Sequence, residues 1–488
     1  MQRTDKATTE ESRVIGRSES CRGSSAEKGF LLGLAIFIAV CQPAFSDDRS
    51  AVSPSDPASC KQRPIPSPIA LFDVIERALC ESPKTRSAWA EIKRAAADVG
   101  VAKSAYMPSL DAALKYAYQQ NSTQVTDNPQ LTSEYAKAVN EESLSLSWVL
   151  YDFGGRSASL KNSRESLLAA QANENATLQA VFATAAKDFF AAQAGNASVL
   201  SKRRIESAAH DNLEAATARV AKGVAPLTDQ LQATTAAAQA TYERARAEGD
   251  FRTAIGVLAV DMSLSPDEAL SLPEMDLGAL PDSSFARAVH DLLAQAQQSH
   301  PRILAAAAQW QAALAHVNFV RAKGLPVVRL IGESDRSNQP VSASLGQPVY
   351  PALTRENYVG LQIAIPLFEG FGRGAQIKEA EAQAAVQEQA VRDVRQQVAV
   401  AVWSSVQTLQ ADTENLRNSE IVLQSARQAF EATQHRYRSG VADILELLSA
   451  QKTLSVSEET WIQAHLDWRV ARLQLAASLG TLGMWAIE

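Results

Sequence analysis

The first residues that could do chemistry lie in IPLFEGFGRGAQI, from Ile365 to Ile377. Gly370, Gly372 and Ala375 fit G-x-G-x-x-[GA], the turn that lets a backbone approach a pyrophosphate at a helix N-terminus. Asp393 lies about twenty residues on, where such a site keeps its ribose-binding acid. That chemistry also needs a uniformly apolar parallel strand before the turn and a short crossover helix after it. Here Val359, Leu361, Ile363 and Ile365 alternate with Gly360, Gln362 and Ala364, and the proline-free stretch beyond Arg373 is far too long for a crossover. No G-x-x-x-x-G-K-[ST] and no catalytic pattern around G-x-S-x-G is present. His210, His290, His300, His316, His435 and His465 are scattered, none four apart, and no Cys/His spacing suggests zinc. No cofactor, no metal and no enzymatic reaction are expected.

Lys and Arg total 47 against 54 Asp and Glu, a net charge of −7, so the basic surface of a nucleic-acid binder is not expected. Aromatics are 6% and alanine is plentiful, which suits long, closely packed helices. Arg22 and Lys28 precede the apolar run FLLGLAIFIAV, Phe30 to Val40, which is too short to span a bilayer. Ala44 to Ser46 then supplies small residues for a cleavage site, so a secretory signal peptide cut after Ser46 is expected. Val40 before Cys41 is bulkier than lipoprotein signals usually carry, so lipidation is not expected. Of Cys21, Cys41, Cys60 and Cys80, cleavage leaves two in an oxidising compartment. A Cys60–Cys80 disulfide is expected to tie the Pro-rich leader (Pro64, Pro66, Pro68) to the first helix.

The elements that position any site are written twice. LYDFGGR ends at Arg156 and LFEGFGR at Arg373, an offset of 217. RVAKGVAPLTDQLQA carries Gly223 and RYRSGVADILELLSA carries Gly440, again 217 apart. Within them Arg219 matches Arg436, Val224 matches Val441, Ala225 matches Ala442 and Asp229 matches Glu446. Pro83 matches Pro301 and Pro108 matches Pro326 at an offset of 218. The copy-one turn, DFGGRS, lacks the dinucleotide fingerprint, a further argument against a cofactor site.

Each copy has one grammar. A helix starting near Leu71, or near Phe285, runs to Pro108 or Pro326, where the missing N–H and the ring stop it. Two extended segments follow. Leu110, Ala112, Leu114, Tyr116 and Tyr118 share one face, as do Leu144, Leu146, Trp148 and Leu150 against Ser143, Ser145 and Ser147. Period-two alternation over about ten residues predicts half-buried strands. Asn121 to Asn140 and Ser334 to Arg355 are expected as long hairpin loops. A proline-free stretch of 67 residues then leads to each tip glycine, about 100 Å as one helix. Returning helices are expected from Leu227 to Val260 and from Ile444 to Leu482. The resulting organisation is a signal peptide (1–46), a leader (47–70), a first repeat (71–262), a linker (263–284) and a second repeat (285–488). Four strands cannot close a barrel, so an apolar sheet in a secreted protein suggests an outer-membrane barrel shared between chains.

The repeat, the FGGR and FGR strand-to-helix turns and the RYRSGVADILELLSAQ tip resemble the TolC family of outer-membrane efflux and secretion channels, over about Leu71 to Leu482. The resemblance implies an α+β membrane protein: a homotrimeric twelve-stranded β-barrel, four strands per chain, in the bacterial outer membrane and continued by an α-helical periplasmic tunnel. It makes Gly154, Gly155, Arg156, Gly370, Gly372 and Arg373 the turns where strands feed tunnel helices. It makes Gly223, Val224, Ala225, Gly440, Val441 and Ala442 the hairpin tips that meet a periplasmic adaptor. It places Asp229, Glu446 and Tyr437 at the channel constriction, where three chains would gather six carboxylates. Ala442 and Ser449 depart from the basic and acidic residues of some members, so a latch built with Arg436 or Arg438 is an alternative. The implied partners are the adaptor, outer-membrane lipid and an inner-membrane ABC exporter or resistance-nodulation-division pump, with no nucleic acid. The FGGR turn and the non-lipidated N-terminus lean toward type I protein secretion, such as toxin export; small-molecule efflux is the alternative. A periplasmic coiled-coil scaffold without a pore is a third reading, which the alternating strands oppose.

Overall fold

The computed structural model describes residues 64–275, 289–342 and 347–482. The expected signal peptide, most of the leader, Cys60 and much of the linker lie outside the described residues. Cys80 is disulfide-bonded, and its partner also lies outside them.

The first proline of each copy breaks the helix that the sequence suggests is continuous. In copy one the chain forms α1 (Leu71–Glu81) and then α2 (Pro83–Ser104); in copy two it forms α5 (Val289–Ser299) and then α6 (Pro301–Ala322). A proline at the first helical position has no N–H to leave orphaned, and the residue before it is held extended. Ser82 and His300 occupy that preceding place as N-caps. Ser82 Oγ accepts the Lys84 N–H at 3.3 Å, and His300 Nδ1 accepts the Arg302 N–H at 3.2 Å.

Strands β1 (Ser109–Thr123) and β2 (Ser133–Tyr151) follow in copy one, with β3 (Val327–Ser337) and β4 (Thr354–Ala364) in copy two. The first hairpin is longer than expected. Much of Asn121 to Asn140 is ladder, paired from Ser109↔Ser147 out to Thr123↔Ser133, and the link is residues 124–132 with a short 3-10 turn, Pro129–Leu131. The mostly polar side chains there read as loop, but backbone pairing needs no apolar face.

The sheet is antiparallel throughout, in the order β1-β2-β3-β4, so β1 and β4 are both free edges. Val149, Val327 and Ile331 fall on one face of the sheet, and register gathers most of the large apolar positions of the four strands on the other: Leu110 opposes Leu146, Trp148 opposes Leu330, and Leu330 opposes Leu361. That face is bare in the single chain; Leu114 is 84% exposed. Tyr116 and Tyr118 mark one end of the apolar band, and Trp148 and Tyr151 the other. The opposite face carries Ser143, Ser145, Glu333 and Asp335.

Below the sheet, α3 (Gly155–Ala221) and α7 (Gly372–Arg438) each run 67 residues, about 100 Å. They are followed by α4 (Leu227–Asp261) and α8 (Ile444–Ser478), each of 35 residues. Helices α2, α3, α6 and α7 neighbour one another in the order of the strands they join, and further down α4 and α8 replace α2 and α6. On α7, Val402, Leu409, Leu416, Leu423, Phe430 and Tyr437 recur every seven residues and are buried. On α8, Leu447, Leu454, Trp461, Trp468 and Leu475 recur likewise and share clusters with them. A strict seven-residue repeat keeps one stripe facing its partner, as in a coiled coil. A separate core forms at mid-height, where Val74 and Ile75 of α1 meet Phe182, Phe189 and Phe190 of α3, Leu258 of α4 and Leu473 of α8. Among the described residues no helix is long and apolar enough to cross a membrane.

Candidate functional site

Each long helix ends in the same turn. Gly223 has φ +68° and Gly440 φ +78°. The Gly223 N–H donates to the Val220 carbonyl at 2.9 Å and the Val224 N–H to that of Arg219 at 3.0 Å. Gly440 donates to Tyr437 at 3.0 Å and Val441 to Arg436 at 2.9 Å. This two-bond closure satisfies the last helix carbonyls and requires a left-handed residue at the glycine. A Cβ at either glycine would meet nothing within 4 Å, so backbone conformation, not crowding, calls for glycine here. Val224 and Val441 then stand 64% and 71% exposed at the extremity. Ala225 is half-buried and Ala442 is buried against the tip cluster, so the Ala442 side chain is not part of the tip surface, contrary to the sequence expectation.

The returning helices begin differently. Asp443 caps α8, accepting the Glu446 N–H at 2.7 Å, whereas Pro226 at the matching place has no side chain to cap α4. Glu446 is ion-paired to Arg436 of its own chain. Asp229 makes no ion pair among the described residues. The two expected constriction acids therefore differ: Glu446 is ion-paired within its chain, and Asp229 is not among the described residues.

Tyr437, expected at the constriction, is buried within the chain where the two hairpins meet. Arg219 Nη1 donates to the Tyr437 carbonyl at 2.8 Å, and its guanidinium carbon lies 4.7 Å from the ring centre. Burial pushes the Tyr437 hydroxyl pKa up; the Arg219 charge opposes this and the Asp229 charge adds to it. Arg219, Asp229 and Tyr437 thus meet where the α3/α4 hairpin touches the α7/α8 hairpin. The sequence shows Arg219 only as the repeat mate of Arg436; that pairing is the signal that could have drawn it out.

At the other end, strand becomes helix through two consecutive left-handed residues. These are Phe153 (φ 50°) and Gly154 (φ 92°) in copy one, and Gly370 (φ 57°) and Phe371 (φ 65°) in copy two. Gly155 and Gly372 open the helices with ordinary φ and are not the bend. A Cβ at Gly155 would stand 3.1 Å from Asp152 Oδ2, while one at Gly372 would meet nothing. The two arginines fasten the junction. Arg156 donates to the Val149 and Leu150 carbonyls at 2.6 and 3.1 Å, and Arg373 donates to Glu369 at 2.8 Å. Leu367 and Phe371 are 90% and 85% exposed, and Phe368–Phe371 and Tyr151–Phe153 form edge-to-face pairs. In the sequence this aromatic collar reads only as turn. A purely antiparallel sheet has no parallel strand to receive a crossover, so the glycine turn at Gly370 has no dinucleotide context.

The sequence matches the family described as Outer membrane efflux protein over residues 74–259 and 292–481. It is 30% identical to Protein CyaE of Bordetella pertussis over 86% of each chain. It is 24% identical to the pyoverdine export outer membrane protein OpmQ of Pseudomonas aeruginosa over 84% of each. Among solved structures, the outer-membrane channel OprN superposes with a TM-score of 0.73 at 18% identity, covering 84% of this chain and 90% of that one. VceC of Vibrio cholerae superposes at 0.71 and 22% identity, covering 84% and 96%.

Proposed function

The chain belongs to the outer membrane efflux protein family, and from that premise we propose that it is the outer-membrane conduit of a tripartite exporter. Membership makes it an outer-membrane channel protein that extends into the periplasm, and not an enzyme. The observation that carries the proposal is the sheet: one bare apolar face between aromatic ends, two free edges, and two 67-residue helices hung beneath it. A sheet in lipid must close, because unpaired edge groups find no water there. Three copies, joined β1 to β4, give twelve strands with the apolar band outward. The aromatic collar at Phe153, Phe368 and Phe371 then sits at the periplasmic interface, where rings with one wet side are favoured.

The tips are the gate and the docking end. Val224 and Val441 offer apolar contacts to a periplasmic adaptor, and the adaptor couples the conduit to an inner-membrane ABC exporter or resistance-nodulation-division pump. Three Asp229 carboxylates, without an ion pair among the described residues of their own chains, line the constriction and favour cations. Arg219 against Tyr437 holds the two hairpins together when the tip is closed. The cargo is a protein exported by type I secretion, a reading that rests on the FGGR turn. Small-molecule export is the second reading, favoured by the likeness to a protein named for pyoverdine export.

Planar-bilayer conductance of the purified protein tests this. A discrete cation-selective pore is expected, with selectivity reduced more by Asp229→Ala than by Glu446→Ala, whose charge is already paired. Folded trimers that form no pore would overturn the conduit reading, and equal effects of the two variants would overturn the site assignment.

A further inference from the structure

The seven-residue repeat of α8 has a second stripe. Ile444, Gln451, Glu458 and His465 are spaced by seven and all buried, yet three of the four are polar. The stripe against α7 is apolar, as described; this one faces α3. Asn212 Nδ2 donates to Gln451 Oε1 at 2.7 Å, and Gln451 Nε2 to the Ile205 carbonyl at 3.5 Å. Ser201 donates to Glu458, which also takes Arg427 of α7 at 3.4 Å. Ser198 donates to Glu459 at 2.9 Å and Lys202 to Ser455 at 3.1 Å. Nearly all of this polar matter joins hairpin α3/α4 to hairpin α7/α8. Inside each hairpin the buried seam is apolar, with Ala209, Ala216, Ala233 and Ala237 in one and Leu409, Leu416, Leu423 and Phe430 in the other. The ion pairs Lys202–Glu243, Arg203–Glu248 and Arg244–Glu206 that join α3 to α4 are part-buried or exposed.

Repeat symmetry makes the contrast sharper. At the offset of 217, Gln451 corresponds to Thr234, Glu458 to Thr241 and Asn212 to Ala429. Neither threonine is buried, and Thr234 turns its hydroxyl back to the Gln230 carbonyl of its own helix at 2.8 Å. The buried ladder therefore belongs to the α3–α8 seam and not to the repeat as such. An apolar seam of identical heptads tolerates a slip by one heptad, because Leu meets Leu again. A buried amide pair does not: slipped one way Asn212 faces Ile444 and is left unsatisfied, and slipped the other way it faces Glu458, which loses Ser201, while Gln451 loses Asn212 in both. Replacing such groups by well-packed apolar ones is often neutral or stabilising, and in coiled coils a single buried amide fixes the register.

We propose that the α3–α8 seam sets the register of the two hairpins, with Gln451–Asn212 and Glu458–Ser201 as positioning residues that fix the relative height of the two tips. The functional consequence rests on the reading of the tips as a gate: register decides whether Asp229 and the Arg219–Tyr437 contact stand at the same level. The register itself does not depend on that reading.

The test uses the purified full-length trimer in detergent, spin-labelled at Lys222→Cys and Ser449→Cys, both exposed positions on the two hairpins. Double electron–electron resonance reads the tip-to-tip distances whether or not the protein conducts. Asn212→Leu/Gln451→Leu removes both amides, so no orphan remains. It is expected to keep or raise the melting temperature while broadening the distance distribution into more than one population. The swap Asn212→Gln/Gln451→Asn keeps the hydrogen bond and is expected to restore the narrow distribution. A narrow distribution in the Leu pair, equal broadening in the swap, or a Leu pair that no longer folds would each overturn the proposal; the last would make the amides a stability device instead.

Discussion

Arg219→Met should loosen the tip without damaging either hairpin. The guanidinium makes two contacts across the hairpin boundary: a 2.8 Å bond to the Tyr437 carbonyl and the 4.7 Å approach to the Tyr437 ring. A hydrogen bond from a charged donor contributes about 1.5–3 kcal/mol, and a partly exposed cation–π contact about 0.5–1 kcal/mol. The carbonyl keeps its second donor, the Gly440 N–H at 3.0 Å, so the substitution leaves no orphaned acceptor. Taking the lower end because Arg219 is only half-buried, the loss is about 2 kcal/mol per protomer. If the contact exists only in the closed tip, that is roughly a 30-fold shift toward opening at each protomer. Single-channel recordings should show a large rise in open probability, with Arg219→Lys intermediate because it keeps charge but loses the flat guanidinium. An Arg219→Met channel with wild-type open probability would refute the latch, and with it the claim that the two hairpins separate at this point.

Gly440→Ala places a side chain at φ +78° and should destabilise the tip turn by roughly 1–2 kcal/mol, read by hydrogen exchange of the Val441 amide, with Gly440→Asn milder. Burial, with the Arg302 charge, holds the His300 pKa below the usual histidine range. Its stabilising contribution is therefore present above about pH 6.5 and lost as pH falls through the folded value, so His300→Ser, copying Ser82, should flatten the melting temperature across mildly acidic pH. Asp261 is pushed up to about 7 by burial and by its hydrogen bond and charge repulsion with Asp188. Its contribution is complete below about pH 4 and lost as pH rises through about 7, so Asp261→Asn should raise the melting temperature near pH 8 and change it little near pH 4.

Much of this architecture is legible from the repeat. Two 67-residue helices between paired glycines follow from proline-free stretches, and the sheet face follows from Leu110 to Tyr118 and Val359 to Ile365. What misleads is local. Pro83 and Pro301 read only as repeat markers, although proline starts a helix as readily as it ends one. The ends of β1 and β2 are mostly polar on both faces, so no hydrophobic period announces them. At the tips, residue types are visible but pairing is not. Glu446 and Asp229 look alike in the repeat, and the placement of Arg436 separates an ion-paired acid from one with no ion pair among the described residues. The polar stripe of α8 is present in the spacing of Gln451, Glu458 and His465, but without knowing that α3 lies against it, it reads as a solvated helix face.

The central claim is that this open four-stranded sheet is one third of a closed barrel. Cryo-electron microscopy of the purified protein in lipid nanodiscs tests it most directly. The expected result is a threefold particle with twelve strands, β1 of each protomer hydrogen-bonded to β4 of the next, and an unbroken lumen running from the barrel to tips ringed by Asp229. A monomer with both sheet edges still free, or a trimer joined only through its helices with no closed barrel, would contradict it.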